Sequence, residues 1–289
     1  MKALWNLTLM TVKAMRVERP NLTATEIWRI YDRLEQRLTA PLSERMLELA
    51  NLRPGMRVLD LATGRGEPAI RAAHRVGPMG RVLGVDNSEE MLQFARERGV
   101  REGLANLDLL AANAESLDGI PSGHFDVTLV RWGLMYLESP VAALTAARKA
   151  MVAHGRLVAA VWAEPERAPY FSFPRQVLRK YREVPPIDQL VPGPFRYADQ
   201  NLLSRDFTVA GFSIEHIEEQ EVPVMEAATS EELITWVRAF VMRRLLEGLS
   251  DEIQSAWEND LLDQAESFRD DGYFRLGGVT RIVVASAAP

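Results

Sequence analysis

Between Met56 and Trp162 short apolar runs take turns with stretches of helical periodicity, and this alternation constrains the chain more than any other feature. MRVLDL (56–61), RVLGVD (81–86), LDLLA (107–111), FDVTLV (125–130) and RLVAAVW (156–162) read as strands. Between them lie a helix from Glu67 to Val76 with Pro68 near its first turn, one capped by Ser88 that ends at Gly99, and one from Pro140 to Met151. Continuous apolar strands separated by helices need both sheet faces covered, so the pattern predicts an α/β fold on a mostly parallel sheet.

The flanks differ. Residues 1–50 read as an N-terminal helical arm and lid. Thr23 and Glu26 have capping-box spacing and open a helix carrying Ile27, Ile30, Tyr31 and Leu34, and Pro41 with Ser43 restarts a second helix that stops at Arg53-Pro54-Gly55. After the 51–163 core, residues 164–210 form a first cap segment of Pro-rich aromatic loops and short helices. Residues 211–289 hold the last two strands, Phe212 to Val224 and Gly278 to Ala285, around inserted cap helices at about 229–268. Ile214 and Ile217 cannot share one face of a regular strand, which predicts a β-bulge between them.

Composition removes whole classes of function. A net charge of −6 offers no basic footprint for nucleic acid, and the absence of Cys excludes disulfides, thiolate metal sites and a cysteine nucleophile. The N-terminal apolar stretch is broken by Lys13 and Arg16, unlike a signal peptide, and no run reaches the roughly 18 apolar residues of a membrane span. The expectation is a cytoplasmic protein in which the arm or the cap could pair two copies into a homodimer.

The chemistry concentrates where the first strand meets its helix, in Asp60-Leu-Ala-Thr-Gly64-Arg-Gly66-Glu-Pro-Ala69. Glycines there permit a tight turn and close approach of a ligand, and Asp86 at the end of the next strand is placed to accept ribose hydroxyls. An adenosine-containing cofactor follows, although Gly64 to Ala69 also matches the G-x-G-x-x-A pattern of dinucleotide sites. Asp60 and Glu67 would repel a pyrophosphate and suit the ammonium and sulfonium of S-adenosylmethionine. Met91 can lie against adenine, and the Asn113 amide carbonyl can accept from the adenine amino group.

VLDLATGRGEPA, GVDNSEEML, ANAESL, FDVTLVRWGLMYL and MVAHGRLVAAVW, in this order, resemble the class I S-adenosylmethionine methyltransferases. The nearest resemblance is to the ubiquinone/menaquinone-biosynthesis-like family of small-molecule and natural-product enzymes. It covers about Trp28 to Trp162, and more loosely GPFRYADQNLLSRDFTVAGFS. It implies a Rossmann-like sheet whose last strand runs antiparallel, with helical cap insertions. S-adenosylmethionine is the implied cofactor and S-adenosylhomocysteine the product. The implied cofactor residues are Gly64, Gly66 and Arg131 at the methionine portion, Asp86 at the ribose, Asn87, Met91, Asn113 and Ala114 at the adenine, Tyr31 as a cover, and Ala62 in the loop. The family more often carries an acid where Asn113 stands.

Methyl transfer from a sulfonium is a displacement that needs alignment, exclusion of water and, for some acceptors, a base. The segment Val130 to Tyr136 lacks the clustered acids of a metal-dependent enzyme, so metal-independent transfer to a hydrophobic small molecule is expected, O-methylation of a secondary metabolite ahead of C-methylation. Family members often place a His near the end of strand four, where this chain has Met135 and Tyr136, so Tyr136 becomes the candidate catalytic residue and Glu164 a second candidate base. The four histidines, His74, His124, His154 and His216, read as structural or solvent residues. Trp132, Met135, Tyr170, Phe171, Phe195, Tyr197, Trp236 and Phe240 are the candidate acceptor pocket, a pattern that plain core packing would also produce. Two other reactions compete: cyclisation or rearrangement on a retained cofactor without methyl transfer and, more remotely, NAD-dependent oxidoreduction. A non-catalytic cofactor sensor is a further reading, with no regulatory segment in its favour.

Overall fold

The computed structural model describes residues 24–287, and the N-terminal arm with its Thr23 cap lies outside them. Helix α1 (Ala24–Leu49) leads into the alternating part: β1 (Arg57–Leu61), α2 (Ala69–Val76), β2 (Arg81–Asp86), α3 (Glu89–Arg101), β3 (Leu107–Ala111), β4 (Phe125–Arg131), α4 (Pro140–Ala150) and β5 (Met151–Trp162). Next come α5 (Pro169–Leu178), α6 (Gln200–Val209), β6 (Phe212–Ala227), α7 (Ser230–Trp236), α8 (Arg243–Leu246), α9 (Asp251–Ala265), β7 (Arg269–Asp270) and β8 (Tyr273–Ala287).

The strands form one eight-stranded sheet in the order β3-β2-β1-β4-β5-β8-β6, with β7 paired to β8. Strands β1 to β5 pair in parallel, whereas β8 runs antiparallel to both β5 and β6. From β1 the chain moves outward through β2 to β3, then returns to the other side of β1 as β4. The order therefore reverses between β1 and β4, and ligands of open α/β sheets bind at the carboxyl ends beside such a reversal. Val58, Leu59, Leu61, Val127, Leu129, Val130, Leu157 and Val158 are all buried, which is why these strands read as unbroken apolar runs.

Several boundaries depart from the sequence reading. The lid is one helix rather than two, and it passes through Pro41. Proline removes one helical hydrogen bond, but Leu38, Leu42, Met46 and Leu47 are buried on either side of it, and their burial outweighs that loss. Helix α2 starts at Ala69, so Glu67 and Pro68 belong to the loop. Strand β5 starts five residues before the expected Arg156, at Met151, and the register shift between Phe125 and Val127 accommodates His154 at φ +60. Strand β8 starts at Tyr273, not Gly278. The bulge predicted in β6 falls between Ile214 and His216, and a second shift between Pro223 and Met225 was not foreseen. The 229–268 region divides into α7, a π-helical segment Val237–Met242, α8 and α9. Among the described residues no helix is long and apolar enough to cross a membrane.

Candidate cofactor and acceptor site

The loop after β1 is held open by backbone geometry. Ala62 and Gly64 have φ +52 and +55, Gly66 has φ +94, and the Gly66 N–H donates to Thr63 O at 2.9 Å. Asp86, at the end of β2, fastens this loop to the next helix: its Oδ2 accepts from Gly64 N–H at 2.8 Å and its Oδ1 from Ser88 N–H at 2.9 Å. The Ser88 hydroxyl in turn accepts from Met91 N–H at 3.3 Å, the expected cap of α3. A carboxylate oxygen can accept more than one hydrogen bond, so both Asp86 oxygens keep capacity for the hydroxyls of a ribose.

A cavity of about 200 Å³ opens beside the loop. Ala62, Gly64, Met91 and Arg131 line it, whereas Asp86 is absent from the lining and bonds to the lining residue Gly64. Gly66 is absent from the lining, because its Cα side faces Ile70 and Ala95 in the packing behind the loop. Asn87, Asn113 and Ala114 stand at the ends of β2 and β3, outside the lining. The Asn113 Oδ1 already accepts from Glu115 N–H at 2.9 Å, so the carbonyl assigned to adenine is partly spent on a local turn. The Tyr31 side chain lies outside the described residues. The sequence reading missed five lining residues, Thr63 and Arg65 in the loop itself, Asp32 and Gln36 of α1, and Arg98 of α3. Arg65 forms an ion pair with Asp32, and the Arg131 guanidinium donates to Thr39 Oγ1 at 2.7 Å and Ser43 Oγ at 3.2 Å, so both arginines fasten the lid helix to the site. Such side chains on a distant helix carry no local pattern that would have found them.

The acids differ from the sequence argument. Glu67 accepts from Arg98 at 2.6 Å and from Arg71 at 3.1 Å, so its charge is already balanced. It therefore does little to repel a pyrophosphate, and that part of the case against a dinucleotide falls. Asp60 is fully buried, and its Oδ2 accepts from Thr63 Oγ1 at 2.6 Å and Ala69 N–H at 3.2 Å, while Oδ1 has no partner. Burial pushes its pKa up to about 7, against the opposing pull of the Thr63 hydroxyl and the Arg131 charge. Asp60 is absent from the cavity lining, so it acts on a ligand through the loop that it fastens.

Asp60 also gives the fold a pH dependence. Because its pKa is raised on folding, the stability it carries is complete below about pH 4 and is lost as pH rises through about 7. Between about pH 5.5 and about pH 8.5 the unliganded chain should lose about 2 kcal/mol through this group. Asp60→Asn should remove that portion of the slope in chemical denaturation at the two pH values; an unchanged slope would refute the assignment.

At the carboxyl end of β4 an aromatic wall begins. Trp132 has φ +54, uncommon for a bulky residue, and stacks on Trp162 with centroids 4.6 Å apart. Its indole N–H donates to Thr280 Oγ1 at 3.1 Å. Phe171 meets Trp162 at 5.4 Å and also contacts Tyr170 and Phe195, and the Trp236 N–H donates to Tyr170 OH at 3.0 Å. Phe240 packs on Trp236 at 4.7 Å. Met135 is fully buried. Phe195, Tyr197 and Trp236 are fully buried too, and the Tyr197 hydroxyl donates to Asp206 at 3.0 Å, so these three serve packing rather than a pocket.

The candidate bases fare less well. Tyr136 is 50% exposed, and burial of its phenol pushes its pKa up to about 12. It stays protonated at neutral pH and can donate a hydrogen bond, not remove a proton. For Glu164, burial would raise the pKa, but its own backbone amide and the Arg281 and Arg167 guanidinium groups hold it below the usual carboxylate range. His74 pairs with Glu102, His124 contacts Arg57, His216 pairs with Glu218 and His154 is exposed, so none of the four lines the cavity or the wall. Among the described residues no group of three His, Asp or Glu side chains is placed to hold a metal ion.

Residues 52–179 match the family model described as "Methyltransferase domain". The chain is 31% identical over 176 residues to the ubiquinone/menaquinone biosynthesis C-methyltransferase UbiE of Shewanella sp. (strain ANA-3), covering 57% of this chain and 70% of that one. A SAM dependent methyltransferase from Aquifex aeolicus superposes with TM-score 0.51 at 21% identity, over 68% of this chain and 92% of its own. The cyclase SpnF superposes with TM-score 0.54 at 18% identity, over 92% and 96% of the two chains.

Proposed function

Because this chain belongs to the class I S-adenosylmethionine-dependent methyltransferases, we propose that it methylates a hydrophobic small molecule, a secondary metabolite, at an oxygen. The aromatic wall that starts at Trp132, at the end of the strand whose Arg131 lines the cofactor cavity, carries this reading. Aromatic faces that meet a reaction crevice favour an apolar acceptor over a charged one.

S-adenosylmethionine supplies an electrophilic methyl carbon on a sulfonium and leaves as S-adenosylhomocysteine. In this reading Asp86 receives the ribose hydroxyls, Met91 lies beside the adenine, and Asp60 fastens the loop beneath through Thr63 and Ala69. Gly64 and Ala62 let the backbone approach, and Arg131 ties α1 over the methionine end. Trp132, Trp162 and Phe171 hold the acceptor and exclude water, and the Tyr136 hydroxyl donates to its oxygen.

With Glu164 paired to arginines and Tyr136 protonated, the described residues offer no base at the wall. The acceptor must then bring an acidic hydroxyl, a phenol or enol, that ionises into solvent. Incubation with lipophilic phenols and enols and a ¹³C-methyl cofactor should yield a methoxy carbon signal and one S-adenosylhomocysteine per product. A C-methyl signal would move the reaction to carbon, the atom named for the Shewanella relative. The lack of a base also suits a second reading, cyclisation without methyl transfer; the neighbour SpnF is named a [4+2]-cyclase. Product without S-adenosylhomocysteine would decide for it.

A further inference from the structure

We propose that Arg98 receives the carboxylate of the cofactor's methionine portion. The proposal rests on the site being an S-adenosylmethionine site. Arg98 is 6% exposed and lines the cavity from α3, on the helix that also presents Met91. Its Nε donates to Glu102 at 3.0 Å and its Nη2 to Glu67 at 2.6 Å. Two fixed nitrogens hold the planar guanidinium in one orientation, and the third, Nη1, is buried without a hydrogen-bond partner.

A buried N–H of a charged group without an acceptor is costly, so a protein keeps one where a ligand completes it. Of the other two arginines of the lining, Arg65 pairs with Asp32 and Arg131 donates through Nη1 to Thr39 and Ser43, although its Nε is, like Arg98 Nη1, a buried nitrogen with no acceptor. Met91 and Arg98 are seven residues apart, about two helical turns or roughly 10 Å, so adenine and carboxylate would be read by opposite ends of the same helix.

Calorimetric titration should compare S-adenosylhomocysteine with its analogue that lacks only the carboxylate, 5′-deoxy-5′-(3-aminopropylthio)adenosine. The wild-type chain should prefer the former by about 10- to 100-fold, the range of a charged hydrogen bond. Arg98→Gln should bring the two within about threefold of each other by weakening S-adenosylhomocysteine alone, and Arg98→Lys should restore part of the preference. Arg71→Gln also breaks a bond to Glu67, but Arg71 does not line the cavity, so this variant should keep the full preference. Equal binding of both ligands by the wild type would overturn the proposal without any variant having to fold. Equal weakening of both by Arg98→Gln would do the same, because it marks a structural role. Binding of neither ligand would instead overturn the cofactor reading beneath it.

Discussion

Replacing Asp86 by Ala is expected to weaken S-adenosylhomocysteine binding several-hundred-fold, about 3–4 kcal/mol. The direct loss is that of the ribose contacts, which alone would cost about 1.5–3 kcal/mol for a charged acceptor. The remainder comes from the loop. Asp86 accepts from both Gly64 N–H and Ser88 N–H, so the substitution also leaves two backbone donors without their acceptor and releases the glycine turn from α3. Asp86→Asn keeps one oxygen and should lose less. Titration calorimetry would check both, and a loss below tenfold for Ala would remove Asp86 from the site.

Gly66→Val should be the most damaging change to the fold, lowering the unfolding free energy by about 3–5 kcal/mol and abolishing cofactor binding. A Cβ at Gly66 would stand 2.7 Å from Ile70 Cδ1 and 3.2 Å from Ala95 Cβ, at a φ of +94 that side chains rarely adopt. Gly64 makes the contrast. Its φ of +55 is one a small residue can take, and a Cβ there would meet nothing within 4 Å. Gly64→Ala should therefore cost the fold only about 1 kcal/mol. The two variants in thermal denaturation test this directly, and equal losses would show that loop strain, not packing against α2 and α3, dominates.

Much of the frame was legible because it rests on local requirements. Strands buried on both faces must be apolar along their length, a left-handed turn favours Gly, and a helix start calls for a cap such as Ser88. The β6 bulge was legible too, since Ile214 and Ile217 cannot share a face without one. The lid was misread because Pro41 carries a strong local stop signal that burial on the sheet overrides. Tyr197 was misread because an aromatic near a crevice looks the same in sequence whether it faces a ligand or, as here, bonds to Asp206.

Charge states were beyond the sequence altogether. Glu67 and Asp60 look alike as acids flanking a glycine loop, yet one is balanced by Arg71 and Arg98 while the other is buried with an oxygen unmet. Glu164 looks like a free base until Arg281, 117 residues away, is seen against it. The sequence by itself determined the sheet, the cofactor loop and the family, because backbone conformation and strand burial are set by neighbours along the chain. Only the tertiary structure decided which acids are charged, which arginine has a hydrogen bond to give and whether a base is present, because electrostatic energies depend on partners brought together through space.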